Sequence, residues 1–183
     1  MKRVIAIAGP SGSGKTTVTN ELAERLGLRP IDTGAIFRQM AKERGMDVMT
    51  FGKFVERHPK IDRELDDRLA KKVAAARNGV ILQGRLAAWT CVQHDIPAMK
   101  FWVTASAKTR AKRVANREKI AISGAYSDLM ERDRDNRERY LKTYGLDLND
   151  LTVYDAVVNT DDLSIRQVAN AIIRKLPKVW LTK

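Results

Sequence analysis

The chain has almost nothing with which to staple itself or to ligate a structural metal. Its one cysteine, Cys91, excludes an internal disulfide, and two histidines, His58 and His94, are too few for a structural zinc site. Aromatic residues are sparse, and no stretch interleaves them with basic residues in the way that stacks exposed bases. No apolar run approaches the roughly 18 residues that a membrane span needs. There is no internal repeat, no low-complexity tract, and no signal-peptide pattern before the first apolar strand. At 183 residues the expectation is a single cytoplasmic enzyme domain, monomeric, with no membrane partner.

Positive charge is what the chain has in excess. The formal net charge is +12, which suits polyanionic ligands and is compatible with weak attraction to nucleic acid. Solvated basic faces are common, so the distribution matters more than the total. Residues 108–142 hold eleven basic against six acidic side chains, an excess of five in one segment.

The most specific stretch is Gly9-Pro10-Ser11-Gly12-Ser13-Gly14-Lys15-Thr16-Thr17. It follows the apolar run Val4–Ala8, which reads as a buried strand, and opens a helical pattern through Val18, Leu22 and Leu26. A glycine-rich turn between strand and helix that ends in Gly-Lys-Thr is a phosphate-binding loop. Glycines let successive N–H groups point into one concavity, and the helix N-terminus adds partial positive charge. Lys15 is placed to reach the outer phosphates of ATP, and Thr16 to offer its hydroxyl to Mg²⁺.

Further along, Arg29–Asp32 predicts a second strand, followed by a helical run with Ile36, Phe37, Met40 and Ala41 on one face. A short helix over Thr50–Arg57 stops before His58-Pro59. A long amphipathic helix begins near Ile61, with Ile61, Leu65, Leu69, Val73 and Ala76 in register, and ends at Asn78-Gly79. Val80–Leu82 predicts a third strand closed by Gln83-Gly84-Arg85, and Ala98–Val103 a fourth that ends at Thr104. A helix from Ala107 carries Arg110, Arg113 and Arg117, and a helical core is expected around Tyr126–Tyr140. Val153–Val158 predicts the fifth strand. Ser164 caps a last helix with Ile165, Val168, Ile172 and Leu176 on its inner face. Alternating strands and helices specify an α/β fold, a five-stranded parallel sheet flanked by helices. Its core comprises residues 1–33, 61–117 and 151–183, with a helical insertion at 34–60 and a lid at 118–150. Ligands gather at the carboxyl ends of such strands. The phosphate loop, Asp32-Thr33, Gln83-Gly84-Arg85, Thr104 and Asn159 all fall there.

A phosphate loop alone says only that a nucleotide triphosphate binds. Thr33-Gly34 opens a helix with Arg38 one turn on, and Arg85 follows the neighbouring strand, so the two guanidinium groups are placed to grip a second phosphate. Two facing anion sites imply transfer between them. Arg117, Arg132, Arg137 and Arg139 lie in or beside the lid, where closure brings guanidinium groups onto the charge of phosphoryl transfer. Acidic neighbours (Asp128, Glu131, Asp133, Asp135, Glu138) are spaced to pair with them, so about half of these arginines are expected to have no catalytic part. Phe101 and Trp102 read as core residues, Cys91 as a buried small side chain, and His58 as a loop residue.

These residues resemble a known family. Gly9–Thr17, Ile31–Arg38, Gly84-Arg85-Leu86, Arg132 with Arg139-Tyr140, Tyr144–Asp147, Tyr154-Asp155 and Asn159-Thr160 are similar to the cytidylate kinases, in their short, archaeal-type branch. The resemblance runs through nearly the whole chain. It implies an adenylate-kinase-like fold and transfer of the ATP γ-phosphoryl group to CMP or dCMP, with Mg²⁺ on ATP. It implies that Lys15, Arg38, Arg85, Arg132 and Arg139 are catalytic, and that Arg117 and Asn159 border the ATP base. It further implies an acceptor seat formed by Asp32, Thr33, Gly34, Phe37, Arg38, Gly84, Arg85, Thr104 and Asn136. Two positions depart from the family pattern. Where an acid usually stands, this chain has Gln83, and Asp32 is the nearest remaining carboxylate; it either holds the metal's water shell with Thr16 or caps a helix. Asn136 also replaces an acid, one that accepts hydrogen bonds from the sugar. The competing readings are a kinase for AMP, UMP or an alcohol, and a basic RNA-binding ATPase switch.

Overall fold

A computed structural model describes residues 3–181, excepting the side chains of Met49, Glu56, Pro59, Asp62 and Thr143. Five strands, β1 (Val4–Ala8), β2 (Arg29–Asp32), β3 (Val80–Gln83), β4 (Met99–Thr104) and β5 (Ala156–Asn159), form one sheet in the order β2-β3-β1-β4-β5. Every pairing is parallel, as the alternation of strands and helices requires. The chain runs to one side of β1 for β2 and β3, then to the other for β4 and β5. The crevice where that order reverses lies outside the carboxyl end of β1, where the glycine-rich loop begins.

Strand alternation sends side chains to two faces, each with its own core. Ile5, Ile7, Ile81, Phe101, Val103 and Val158 pack against α1 (Lys15–Leu26) and α8 (Ile165–Ile173), with Trp180 closing that end. Val4, Ala6, Val80, Leu82 and Ile31 face α2 (Thr33–Glu43), α3 (Val48–Arg57), α4 (Pro59–Ala75) and α5 (Ala87–Gln93). A third, small cluster joins α6 (Ala107–Glu118) to α7 (Ile122–Tyr144) through Ala111, Val114, Ala115, Ala125 and Leu129. That hairpin therefore has an apolar core of its own, separate from both faces of the sheet.

Several boundaries differ from the expected ones. The long helix starts at Pro59, which occupies its first turn, rather than near Ile61. Helix α5 lay in a stretch that the apolar spacing left unassigned. Helix α7 extends well beyond Tyr126–Tyr140 at both ends. Strand β5 starts at Ala156, not Val153, because residues 150–155 form a turn in which Asp150 accepts from the Thr152 N–H and Tyr154 donates to the Leu151 carbonyl. Ser164 caps α8 with a full capping box to Gln167, but Ile165 points to solvent, and Ala169 takes the inward place.

Candidate active site

The loop after β1 turns where only glycine fits. A Cβ on Gly9 would lie 2.0 Å from the Val103 carbonyl oxygen, and its φ of +147° lies in the region that side chains avoid. Gly14, at φ +92°, is the N-cap of α1, so Lys15, Thr16 and Thr17 form the first turn of the helix, with the two threonines exposed. Ser13 is fully buried beneath the loop.

Lys15 folds back over this loop and donates to the Pro10 carbonyl at 2.7 Å. Burial pushes its amine down from 10.5 to about 7, and the nearby cations Arg85 and Arg110 add to the effect. Asp133 and Asp32 oppose it without restoring the ordinary value.

Strand β3 delivers two groups to the same place. Gln83 is buried, its Nε2 donates to Thr16 Oγ1 at 3.2 Å, and its Oε1 has no partner. Two residues on, Arg85 donates to Ser11 Oγ at 2.6 Å. Gly84 lies between them because a Cβ there would overlap the Thr33 hydroxyl at 1.7 Å. That hydroxyl donates to the Gln83 carbonyl and binds the start of α2 to the end of β3.

From the other flank, α6 supplies two arginines one turn apart. Arg110 Nη1 donates to the Ser11 carbonyl at 3.0 Å and to Asp133 Oδ2 at 2.6 Å. Arg113 donates to Thr160, through Nη1 to its hydroxyl and Nη2 to its carbonyl, and more weakly to the Ser13 carbonyl. Between these elements lies a cavity of about 210 Å³. The loop (Gly9, Pro10) forms one wall and Trp102 another. Arg85, Arg110, Arg137, Asp133, Asn136, Leu148 and Asn149 complete it. Trp102, expected in the core, is half-buried here, because it projects from the opposite face of β4 to Phe101 and Val103. Its far side packs on Tyr154, with ring centroids 5.2 Å apart.

The other sequence candidates divide into groups. Asp32 caps α2 through Oδ1 to the Gly34 N–H, and its Oδ2 pairs with Arg38 at 3.0 Å, so both oxygens are engaged and the capping alternative is the one seen. Arg38 is half exposed and faces Asp32, not Arg85. Phe37 carries Arg139 on its ring at 5.5 Å, and Arg139 also lies over Tyr140 and against Gly52, bringing α7 onto α2 and α3. Asn136 donates to the Arg132 carbonyl one turn back. Arg117 and Arg132 are exposed and act on Glu118, and neither is among the residues that line the cavity. Thr104 and Asn159 are paired at the ends of β4 and β5, on the opposite flank of β1 from Asp32 and Arg38. Asn159 Oδ1 accepts from the Asp161 N–H in a tight turn. Cys91 is buried, and burial raises its thiol to about 11, so it is no nucleophile. His58 Nδ1 bonds the Phe54 carbonyl as a loop residue.

Sequence reasoning missed Arg110 and Trp102. The signal for Arg110 was its place on the inward spacing of α6 with Ala111, Val114 and Ala115. For Trp102 it was strand alternation, which puts it opposite Phe101 and Val103.

Among the described residues no group of three or more histidine, cysteine or carboxylate side chains could hold a metal by itself. The unpartnered Gln83 Oε1 beside the Thr16 hydroxyl nevertheless suits a hydrated ion that takes most of its oxygens from phosphate and water. No helix of the described residues is long and apolar enough to cross a membrane.

Residues 4–162 match the family described as the cytidylate kinase-like family. A cytidylate kinase of Pyrococcus horikoshii is 46% identical over 164 residues, covering 89% of this chain and 82% of that protein. The cytidylate kinase of Methanocaldococcus jannaschii is 40% identical over 171 residues, covering 92% and 94%. Among solved structures, the shikimate kinase of Bacteroides thetaiotaomicron superposes with a TM-score of 0.57 at 16% identity, covering 98% of this chain and 99% of that one. At that identity it supports the fold alone.

Proposed function

Since the chain belongs to the cytidylate kinase-like family and is therefore a nucleoside monophosphate kinase, we propose that it transfers the γ-phosphoryl group of ATP to CMP or dCMP, as Mg²⁺-ATP, in the cytoplasm. One observation supports this most: Arg85, Arg110 and Arg137 line one cavity walled by the phosphate-loop residues Gly9 and Pro10, with Asp133 as the single carboxylate of its lining, and Arg85 and Arg110 also act on Lys15. Such a site holds two anions close together.

In this reading ATP lies with its β- and γ-phosphates in the loop, within reach of the Lys15 ammonium. The acceptor's phosphate enters between Arg85 and Arg137. Its oxygen forms the new P–O bond as the bond to ADP breaks, and no general base is needed because that oxygen is already an anion. The basic side chains position the two phosphates in line and stabilise the charge on the equatorial oxygens. Magnesium, when bound with ATP, neutralises phosphate charge, and Thr16 with Gln83 Oε1 are the residues that would face it. The acceptor base lies against Trp102, with the amides of Asn136 and Asn149 at its edge. The parts that close are the insertion at residues 34–60 and the lid at 118–150, which already touch through Arg139 and Phe37.

The test is ADP formation from ATP with CMP, dCMP, UMP, AMP and dTMP in parallel. Turnover that depends on CMP or dCMP is expected. ATP hydrolysis stimulated by RNA alone, or a preference for AMP, overturns the reading.

A further inference from the structure

Arg110 stands where α6 turns inward and is 6% exposed. One nitrogen of its guanidinium, Nη1, makes two bonds: to the Ser11 carbonyl in the phosphate loop and to Asp133 on α7. The buried Nε–H has no partner, so these two bonds, rather than full satisfaction of the group's own donors, set its position. Asp133 lies one turn before Asn136 and Arg137, the α7 residues that wall the cavity. A single side chain therefore bridges the loop that takes one nucleotide and the helix that faces the other.

Net stability is a poor account of this pair, because removing two charges from water offsets most of their attraction. What it supplies is geometry. The planar guanidinium fixes the direction of both bonds at once. Arg113, one turn along α6, makes a separate tie, to Ser13 and Thr160, that holds the loop to the end of β5.

We propose that Arg110 is a positioning residue that makes the two nucleotide sites fill cooperatively. This rests on the two-nucleotide reading above. A phosphate in the loop fixes the Ser11 carbonyl, which fixes the Arg110 guanidinium and, through Asp133, the part of α7 that carries Asn136 and Arg137. The second nucleotide then meets a wall already ordered, and the same linkage acts in reverse.

The test uses the whole chain and measures Mg²⁺-ADP affinity by calorimetry with and without saturating CMP, a pair between which no transfer occurs. In the wild type CMP should tighten ADP by about fivefold or more. In Asp133→Asn that factor should shrink, and in the apolar replacement Arg110→Met with Asp133→Leu it should fall to about one at a melting temperature close to wild type. Arg113→Met is the control: it weakens ADP alone but keeps the factor. A wild type with no coupling, or a double variant that keeps the wild-type factor, overturns the proposal. Should the double variant not fold, Asp133→Asn decides it, and an unchanged factor there is fatal. Failure of the acceptor reading looks different, as a wild type that binds ADP and not CMP. The bridge is then judged by hydrogen exchange of the nucleotide-free protein, where Asp133→Asn must speed exchange across Ser11–Lys15, and unchanged exchange rejects it.

Discussion

Nucleotide binding should draw a proton onto Lys15. In the nucleotide-free protein burial and the neighbouring cations Arg85 and Arg110 hold this amine at about 7, against 10.5 for an ordinary lysine. A polyphosphate in the loop favours the charged form and returns it toward the ordinary value. The free protein is then discharged in about half its molecules at pH 7, about nine-tenths at pH 8 and about one-tenth at pH 6, and binding must recharge that fraction. Calorimetry of Mg²⁺-ADP in two buffers of different ionisation enthalpy reads the uptake directly. About 0.9 proton is expected at pH 8, and Mg²⁺-ADP affinity should fall about fivefold from pH 7 to pH 8. The choice of pH 8 avoids the phosphate's own ionisation near 6. Folding has the opposite sign. The unfolded chain keeps this proton up to about 10.5, so between 7 and 10.5 the unfolded state binds more protons, and the contribution of Lys15 to stability rises with pH. Lys15→Arg carries a guanidinium that does not discharge, so its uptake at pH 8 should vanish. No uptake by the wild type, or equal uptake in the variant, refutes the assignment of the depressed amine to the phosphate site.

Three other perturbations are equally direct. Gln83→Glu places a carboxylate beside Thr16, and the Mg²⁺ concentration at half-maximal activity should drop by about tenfold. Asp32→Asn should leave that concentration unchanged, because Asn caps a helix as well as Asp does and the Asp32 oxygens already bond Gly34 and Arg38; a sharply raised requirement would restore Asp32 to the metal's water shell. Trp102→Ala removes the wall against which the acceptor base is seated, so the acceptor KM should rise by about tenfold, from a stacking contribution of about 1–3 kcal/mol. The ATP KM should stay as it was, and a matching rise there would show that Trp102 supports the sheet and not the acceptor.

The order of the elements was legible because each signal was local. Val4–Ala8 is apolar throughout and is buried throughout, as a central parallel strand must be. Ser164 and Gln167 announce α8 three residues apart, and both halves of the capping box form. Ile165 was misplaced because a helical spacing of 165, 168, 172 and 176 is compatible with two neighbouring stripes, and only the sheet decides which is inside. Helix α5 has too few residues to show a period, and it is held instead by the burial of Ala87, Ala88, Thr90 and Cys91. Residues 153–155 looked like the start of a strand because Val153 and Tyr154 favour one. The side chain of Asp155 accepts the Lys100 N–H, and the bond lies outside the strand ladder, which begins at Ala156.

The candidate site was legible where chemistry and local geometry coincide and illegible where it depends on which way a helix faces. Gly9 and Pro10 of the phosphate loop, Arg85 and Asn136 line one cavity. The excess charge of residues 108–142 does not act as a unit. Arg110, Arg113, Arg137 and Arg139 turn toward the loop, the cavity or Phe37. Arg117, Arg132 and Arg134 lie exposed, and Arg117 and Arg134 pair with the adjacent acids Glu118 and Asp135. The division follows from packing: the small apolar residues that join α6 to α7 fix the roll of each helix, and so which arginines face the phosphate loop and the cavity. Charge counted along the sequence therefore overstates the site, while a buried arginine at a core position, Arg110, marks it more sharply than any of the exposed ones. A cation removed from water costs free energy unless an anion meets it, and beside the phosphate loop Asp133 meets Arg110 directly and, with Asp32, acts on Lys15.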